Sequence, residues 1–323
     1  MLNTKMLTKI ILIFLMMLSV AFAYPSWFRK YELEHKKKYT SKNRFLAFKT
    51  LQLKHRHIKK THDLHLSLRR NSDRPFRRTN KAFSKRRLAT KKLKKKRRLR
   101  TSFGLPFEFD LRTKDLLTSV KDQGICGGCY CYAALTSLEY HYAVLTGSLQ
   151  NFSANNCISC TNTMVDFCDG CDGGLMEDVF NLAKVKPFSP HNNYENPIRR
   201  NGVCGETSHG IKVNQYQTLE DFDENLIAHA LIEHGPVPVG VDTSSYSFEL
   251  YKSGIMKATH CGKNIDHAVA IVGYGQVGFQ RYWIVKNSWG PEWGVDGYFY
   301  LERDKGACGL TSYASFPTDV VVV

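Results

Sequence analysis

The chain has 323 residues, with 46 Lys+Arg, 29 Asp+Glu and a formal net charge of +17. It is long enough for one enzyme of about two lobes plus a leader, since domains usually run to about 100–200 residues. The charge is not shared evenly. Residues 1–103 hold 31 Lys+Arg and 4 Asp+Glu, a net +27, and residues 104–323 hold 15 and 25, a net −10. Such asymmetry marks separate pieces with separate jobs and removes the whole-chain charge as an argument for a nucleic-acid partner.

The chain begins like a secretory signal over residues 1–23. Lys5 and Lys9 are its positive flank, Ile10 to Val20 its apolar core, and Ala21-Phe22-Ala23 a small-x-small cleavage site. The apolar run is short of the roughly 20 residues that a membrane span needs, and no later stretch is long and apolar enough. Phe45, Phe48, Leu51, Leu53 and Ile58 then allow an amphipathic helix. Lys85 to Arg100 is a basic run whose like charges repel, which predicts a disordered, protease-sensitive linker. Nuclear targeting or nucleic-acid binding is the competing reading of such a run, and a secretory signal argues against both.

From Leu105 the composition becomes globular. The stretch Gln123-Gly124-Ile125-Cys126-Gly127-Gly128-Cys129-Tyr130 leads into a predicted helix from Cys129 to about Thr146, closed by Gly147. Tyr130, Ala134, Leu138, Tyr142 and Leu145 would form its apolar stripe. A thiol in a first helical turn meets free N–H groups and the positive end of the helix dipole, which favour its ionised, nucleophilic form. An isolated cysteine is more often a half-cystine or a small buried hydrophobe. Strand-like runs follow at Pro236–Val241, Ala268–Tyr274, Tyr282–Val285 and Tyr298–Leu301. Helices first and antiparallel strands later predict an α+β protein. No internal repeat is visible.

All ten cysteines lie after Leu105, which in a secreted chain suggests a disulfide framework. Two other readings of their spacing stand beside it. Cys157-x2-Cys160 with Cys168-x2-Cys171 has the spacing of a four-Cys zinc site. Cys126-x2-Cys129 has that of a thioredoxin-like redox pair, although the βαβ unit such a pair requires is not evident.

Asp266-His267-Ala268-Val269 and Tyr282 to Gly290 decide the matter. His267 lies 138 positions after Cys129, and Asn287 follows 20 further on. This is the Cys…His…Asn order and spacing of papain and the cathepsins. Leu105 to Pro317 resembles the papain-like cysteine proteases, nearest the cathepsin L type. Further blocks in the same order carry the resemblance: Leu105-Pro106…Asp110-Leu111-Arg112, Gly170 to Met176, Ser253-Gly254-Ile255, and Cys308-Gly309-Leu310.

The resemblance implies a papain-like fold, with a helical lobe, an antiparallel β-barrel lobe and the active site in the cleft between them. It implies a signal peptide over 1–23, an inhibitory propeptide with its basic linker over 24–104, and a mature peptidase over 105–323. Within the leader, Phe28, Tyr31, His35 and Tyr39 match the family's prosegment, and Arg44 and Phe48 continue at its helical spacing. The match then fails at Leu51, where the family has Asn.

Cys129 would be the nucleophile, His267 its base and acid, Asn287 the residue orienting the imidazole, and Gln123 an oxyanion donor, with Trp289 shielding the His267–Asn287 bond. Substrate would lie along Gly173, Gly174, Leu175 and Met176. Ile265 and Tyr313 would complete an apolar S2 pocket, the site for the second residue before the cut. The implied disulfides are Cys126–Cys171, Cys160–Cys204 and Cys261–Cys308, which claim two of the four candidate zinc ligands. Cys157 and Cys168 remain and are expected to pair, leaving Cys131 as a buried small hydrophobe.

The expected activity is that of a cysteine endopeptidase made as a zymogen in the secretory pathway, destined for a lysosome, a vacuole or the outside. Neither a cofactor nor a metal is implied. Partners would be protein and peptide substrates, the chain's own propeptide and cystatin-like inhibitors, with no nucleic acid and no membrane span, for a monomer. The alternative is an inactive homologue that serves as a binding protein. Asn151-Phe152-Ser153 is a glycosylation sequon. Gly128 departs from the family's Ser or Ala, Tyr130 from its Trp, and Phe152 to Asn155 from its Leu-Ser-Glu-Gln.

Overall fold

The computed structural model describes residues 25–39, 41–61, 63–69, 72–73, 104–165, 168–190 and 204–323. The signal sequence and the basic run Lys85–Arg100 lie outside them. No helix among the described residues is long and apolar enough to cross a membrane.

The chain forms two compact units, and the segment Thr61–Leu66 belongs to the second. The first contains helices α1 (Ser26–Glu34) and α2 (Ser41–Lys60). Phe28, Tyr31 and Leu51 form its core, with Trp27, Tyr39, Phe48 and Leu68 packed against them. Tyr39 donates to Asp73 at 2.7 Å, and the Tyr31 hydroxyl donates to the Arg69 carbonyl at 2.8 Å. The predicted amphipathic face is correct at Phe48 and Leu51 and wrong at Phe45 and Leu53, which are about half exposed. The buried positions are Ala47, Leu51 and Lys54, one turn apart along a single stripe.

The second unit combines helices with a large sheet. Its helices are α3 (Cys129–Thr146), α4 (Ala154–Met164), α5 (Met176–Val185), α6 (Glu224–His234) and α7 (Tyr246–Glu249). Its strands are β1 (His65–Leu66), β2 (Phe109–Asp110), β3 (Ile211–Glu220), β4 (Val237–Val241), β5 (Tyr251–Ser253), β6 (Ile255–Met256), β7 (His267–Val277), β8 (Gln280–Lys286), β9 (Tyr298–Glu302) and β10 (Tyr313–Val322). The large sheet runs β3-β10-β4-β7-β8-β9-β6, with β2 paired to β7. Its pairs are antiparallel except β6–β9. The mixed architecture agrees with the α+β expectation.

Helix α3 ends where its sequence says it should. Gly147 takes a left-handed φ of 69°, and its N–H closes on the Ala143 carbonyl at 2.9 Å. The expected single apolar stripe is too narrow. Every residue from Cys129 to Glu139 is buried, because α4, α5 and strands β4, β7 and β10 surround the helix. Leu145, placed on the stripe by its spacing, is 53% exposed because the last turn runs out of that packing.

Two apolar clusters result. One surrounds α3 with Phe152, Ile158 and Phe180, and the other fills the sheet half around Trp283, Trp293 and Phe299. Strands β7 and β4 pair in register from His267↔Val241 to Ile271↔Val237, which lays the start of β7 against the start of α3.

Candidate active site

Cys129 is the first residue of α3, and Gly128 precedes the helix. Neighbouring atoms crowd the place of a side chain at both glycines before the helix. A Cβ on Gly128 would lie 2.3 Å from Ile158 Cδ1, and one on Gly127 would lie 2.5 Å from the Cys171 carbonyl oxygen. The departure from the family's Ser or Ala therefore follows from the packing of α4. The Cys129 sulfur accepts the Ala268 backbone N–H at 3.4 Å, so the thiol sits beside the start of β7.

His267 is the first residue of β7. One of its ring nitrogens, Nε2, lies 2.8 Å from Asn287 Oδ1, which also accepts the Ser288 N–H at 2.8 Å. An amide oxygen that already accepts one bond requires Nε2 to carry the proton as donor. The other nitrogen, Nδ1, is then the basic one. The Trp289 ring packs against the imidazole, centroid to centroid 5.1 Å, with the two planes tilted by 38°.

Gln123 is buried and doubly anchored. Its N–H donates to the Cys126 carbonyl at 2.8 Å, and its Oε1 accepts the Ser288 hydroxyl at 2.5 Å. Its backbone N–H donates to the Ser288 carbonyl at 2.9 Å. The side-chain amide has two N–H donors, and the Cys126 carbonyl takes one. Ser288 lies within the Tyr282–Gly290 block, but nothing in that block marks it as the anchor of a residue 165 positions earlier.

Cys129 is fully buried and His267 is 1% exposed. Burial pushes the thiol up to about 12; Asp266 adds to the rise, and the N–H groups of Ala268, Tyr130 and Cys129 oppose it. Burial pushes His267 down to about 4 against the hydrogen bond to Asn287, which raises it. Each charge alone is therefore disfavoured. Burial is the largest cause in both cases, and it favours the neutral thiol beside the neutral imidazole.

The cysteines correct the sequence reading in one place. Cys126–Cys171, Cys160–Cys204 and Cys261–Cys308 are paired as expected. The fourth bridge joins Cys131 to Cys157, with Cα atoms 6.0 Å apart, and replaces the expected Cys157–Cys168 pair. Cys131 is two residues along α3 from Cys129 and so points away from it, and what waits on that side is Cys157 of α4. Cys168 is left as a buried thiol that donates to Asp178 Oδ2 at 3.4 Å. With these bridges made, the four-Cys cluster has no zinc ligand set to offer, and among the described residues no group of His, Cys, Asp or Glu could hold a metal.

Leu175, Met176, Ile265 and Tyr313 fall in one apolar cluster with Cys129 and Ala268, and all four are at most 8% exposed. Met176 opens α5, and Tyr313 opens β10. Gly173 precedes them at a φ of 120°. Gly174 has a reason of its own, because a Cβ there would lie 2.7 Å from Cys168 Sγ and 2.8 Å from the Tyr130 ring. Tyr130 in turn shares a hydrogen bond of 2.9 Å with the Thr161 hydroxyl and donates to the Gly170 carbonyl at 3.2 Å. The residue that departs from the family's Trp thus ties α3 to the glycine loop.

Two buried charges escaped the sequence reading. Asp266 accepts the Thr243 N–H and hydroxyl at 2.8 and 3.0 Å, and burial pushes its carboxyl up to about 6. Lys286 donates to the Thr118 carbonyl at 2.6 Å, and burial pushes it down to about 8. Each directly precedes a predicted catalytic residue, and that adjacency was the only available signal.

The model of the papain family of cysteine proteases matches residues 105–318. Cysteine proteinase 3 of Dictyostelium discoideum is 38% identical over 223 residues, 68% of this chain and 65% of that protein. Cathepsin S of Bos taurus is 34% identical over 230 residues, 66% of this chain and 65% of that protein. The chain thus matches less than two thirds of the length of these relatives. The solved proform of the ragweed pollen cysteine protease Amb a 11 superposes with a TM-score of 0.79 at 27% identity, covering 92% of this chain and 96% of that one. With a family match across most of the chain, a Cys–His–Asn site in the order the family uses and a papain-like fold, this chain belongs to the papain family of cysteine proteases.

Proposed function

We propose that the chain is the zymogen of a cysteine endopeptidase. The carrying observation is the joint geometry of the site: Cys129 at the start of α3 beside the Ala268 N–H, and His267 held by Asn287 through Nε2. His267 Nδ1 takes the thiol proton, and the thiolate attacks the carbonyl carbon of a peptide bond. The oxyanion is received by the Cys129 backbone N–H and the second N–H of Gln123; losing such a donor costs about 10²–10³ in turnover. The imidazolium then protonates the leaving amine, and water cleaves the thioester with His267 again as base.

Residues 1–23 are read as the signal peptide, 24–104 as an inhibitory propeptide with its linker, and 105–323 as the mature enzyme. The solved proforms similar to this chain over nine tenths of its length support that division. The destination is a lysosome, a vacuole or the outside of the cell.

The S2 pocket is assigned to Leu175, Met176, Ile265 and Tyr313. It presents no carboxylate, so an Arg entering it would lose its hydration without a partner. The Tyr313 ring leaves room for Leu or Val and less for Phe. One methylene in such a pocket is worth about 1–3 kcal/mol, so the preference is graded. Turnover of matched peptides should fall from Leu and Val to Phe and then Arg, and Tyr313→Ala should improve Phe; equal cleavage of Arg and Leu refutes the pocket.

The test of the whole reading is labelling of the acid-processed protein with a thiol-directed epoxide. A single adduct should form at Cys129, and Cys129→Ala should neither label nor cleave. Residual peptidase activity in Cys129→Ala would overturn the assignment.

A further inference from the structure

The segment Thr61–Leu66 adds a strand to the second unit. β1 pairs antiparallel with the edge of β5, with His65 opposite Ser253 and Leu66 opposite Tyr251. Leu64 is 5% exposed and enters the apolar cluster of the sheet half. Gly254 turns beneath it at a φ of 95°, with Leu64 Cδ2 3.5 Å from the place of a Cβ. Beside this socket the Asp63 carboxylate lies between Lys257 Nζ at 3.0 Å and His260 Nε2 at 3.0 Å. His260 Nδ1 accepts the Lys257 backbone N–H at 3.0 Å, which places the ring proton on Nε2, toward Asp63.

The chain around this face is unusual in sign. Residues 250–265 carry Lys252, Lys257, Lys263 and His260 and no acid, within a piece of net charge −10. None of Gln123, Cys129, His267 and Asn287 takes part.

We propose that, once the residues before Leu105 are removed, this face is an exosite for an extended acidic segment of a protein substrate, read as a carboxylate followed directly by a Leu-sized side chain. The inference rests on the zymogen reading above. Removal of β1 would strip the β5 edge of its partner, empty the Leu64 socket and leave Lys257 and His260 without Asp63. An open strand edge pairs with extended chains, and pockets for alternate side chains give such pairing its specificity. The rest of the enzyme repels acidic partners, so the Lys257 ammonium with the His260 Nε2–H donor beside it sets the register as well as the affinity.

The probe is a labelled peptide of residues 61–66, Thr-His-Asp-Leu-His-Leu, titrated by fluorescence anisotropy. The protein is the acid-processed full chain with Cys129 blocked by the epoxide. Binding should survive the block and be absent from the unprocessed chain. Lys257→Glu should weaken it about fivefold, as for an exposed ion pair, and Ala in place of Leu in the peptide should weaken it tenfold or more. When the same six residues are joined by a Gly/Ser linker to a cleavable peptide, KM should fall with kcat unchanged. Lys257→Glu should cancel that gain and leave a short peptide substrate unaffected. A chain that stays intact by mass under acid refutes the zymogen reading, and the exosite with it. A processed chain that does not bind the peptide, or binds it only with Cys129 unblocked, refutes the exosite alone.

Discussion

Replacing Glu139 by Gln tests how the buried charges beneath the site are balanced. Glu139 is 1% exposed on α3. It accepts the Thr118 hydroxyl at 2.6 Å and the Phe152 N–H at 2.7 Å, and it pairs with Lys121. Lys286, one residue before Asn287, donates to the same Thr118 and is raised by Glu139 against the stronger lowering effect of its burial. Its pKa falls from 10.5 to about 8 on folding. A lowered lysine pKa opposes folding below the folded value, and the cost disappears as pH rises toward the unfolded value. At pH 7 that cost is about 3 kcal/mol in the parent protein. Without the carboxylate the folded pKa drops further, but deprotonation limits the cost at pH 7 to about 5 kcal/mol. Glu139→Gln should therefore lose up to about 1.5 kcal/mol through Lys286, and about 1 kcal/mol more through its own charged hydrogen bonds. The first part should vanish by pH 9, where the lysine is neutral in both folded proteins, and should grow below pH 7. Urea unfolding followed by tryptophan fluorescence, in a Cys129→Ala background at pH 6, 7 and 9, reads this directly. A loss that does not change with pH refutes the coupling of Glu139 to Lys286.

Cys131→Ser opens a loop with a sequence separation of 26. It should cost about 3 kcal/mol of stability while leaving the chemistry of any folded enzyme intact, and a larger loss of turnover per folded site than of stability would contradict the bystander role. Gly128→Ala should lose about 1–3 kcal/mol by overpacking, and the same substitution should cost much less when made in an Ile158→Ala background, because Ile158 Cδ1 is the atom in the way. Asp266→Asn should stabilise at neutral pH. The Asp266 carboxyl is raised on folding from 3.8 to about 6, so its ionised form opposes folding above pH 6, by up to about 3 kcal/mol, and the penalty is lost as pH falls through 6 toward 3.8. Melting of the two proteins should therefore converge by about pH 4, and a gap that widens on acidification would reverse the sign of the argument.

What the sequence made legible was local. The end of α3 could be read because the left-handed Gly147 sits within a few residues of the bond it closes. The order of Cys129, His267 and Asn287 could be read because each lies in a contiguous block. What stayed hidden depended on what packs from elsewhere in the chain. Spacing along a helix says that Cys131 turns away from Cys129, but only the approach of α4 shows that Cys157 is there. Gly128 looked like a mild departure until Ile158 filled the space a side chain would need. Strands β3 and β10 were missed as elements because sequences such as Lys212-Val213-Asn214-Gln215 carry little alternation, and their pairing from Tyr313↔Glu220 to Val322↔Ile211 spans about a hundred residues.

The two buried charges bear on the site in different ways, one beside the start of β7 and one at the end of β8. Asp266 directly precedes His267 at the start of β7, and Lys286 ends β8 directly before Asn287, so each lies next in the chain to a catalytic candidate. Asp266 raises the Cys129 thiol. Lys286 has no such direct influence; it fixes the end of β8 by donating to the Thr118 carbonyl. Removing the first charge should therefore move the pH at which the Cys129–His267 pair reacts, shifting the alkylation profile to lower pH. Disturbing the second should leave that profile in place and reduce the fraction of folded sites. The two variants separate electrostatic tuning of the pair from the mechanical support of Asn287, because alkylation rate against pH reports the first and its amplitude reports the second.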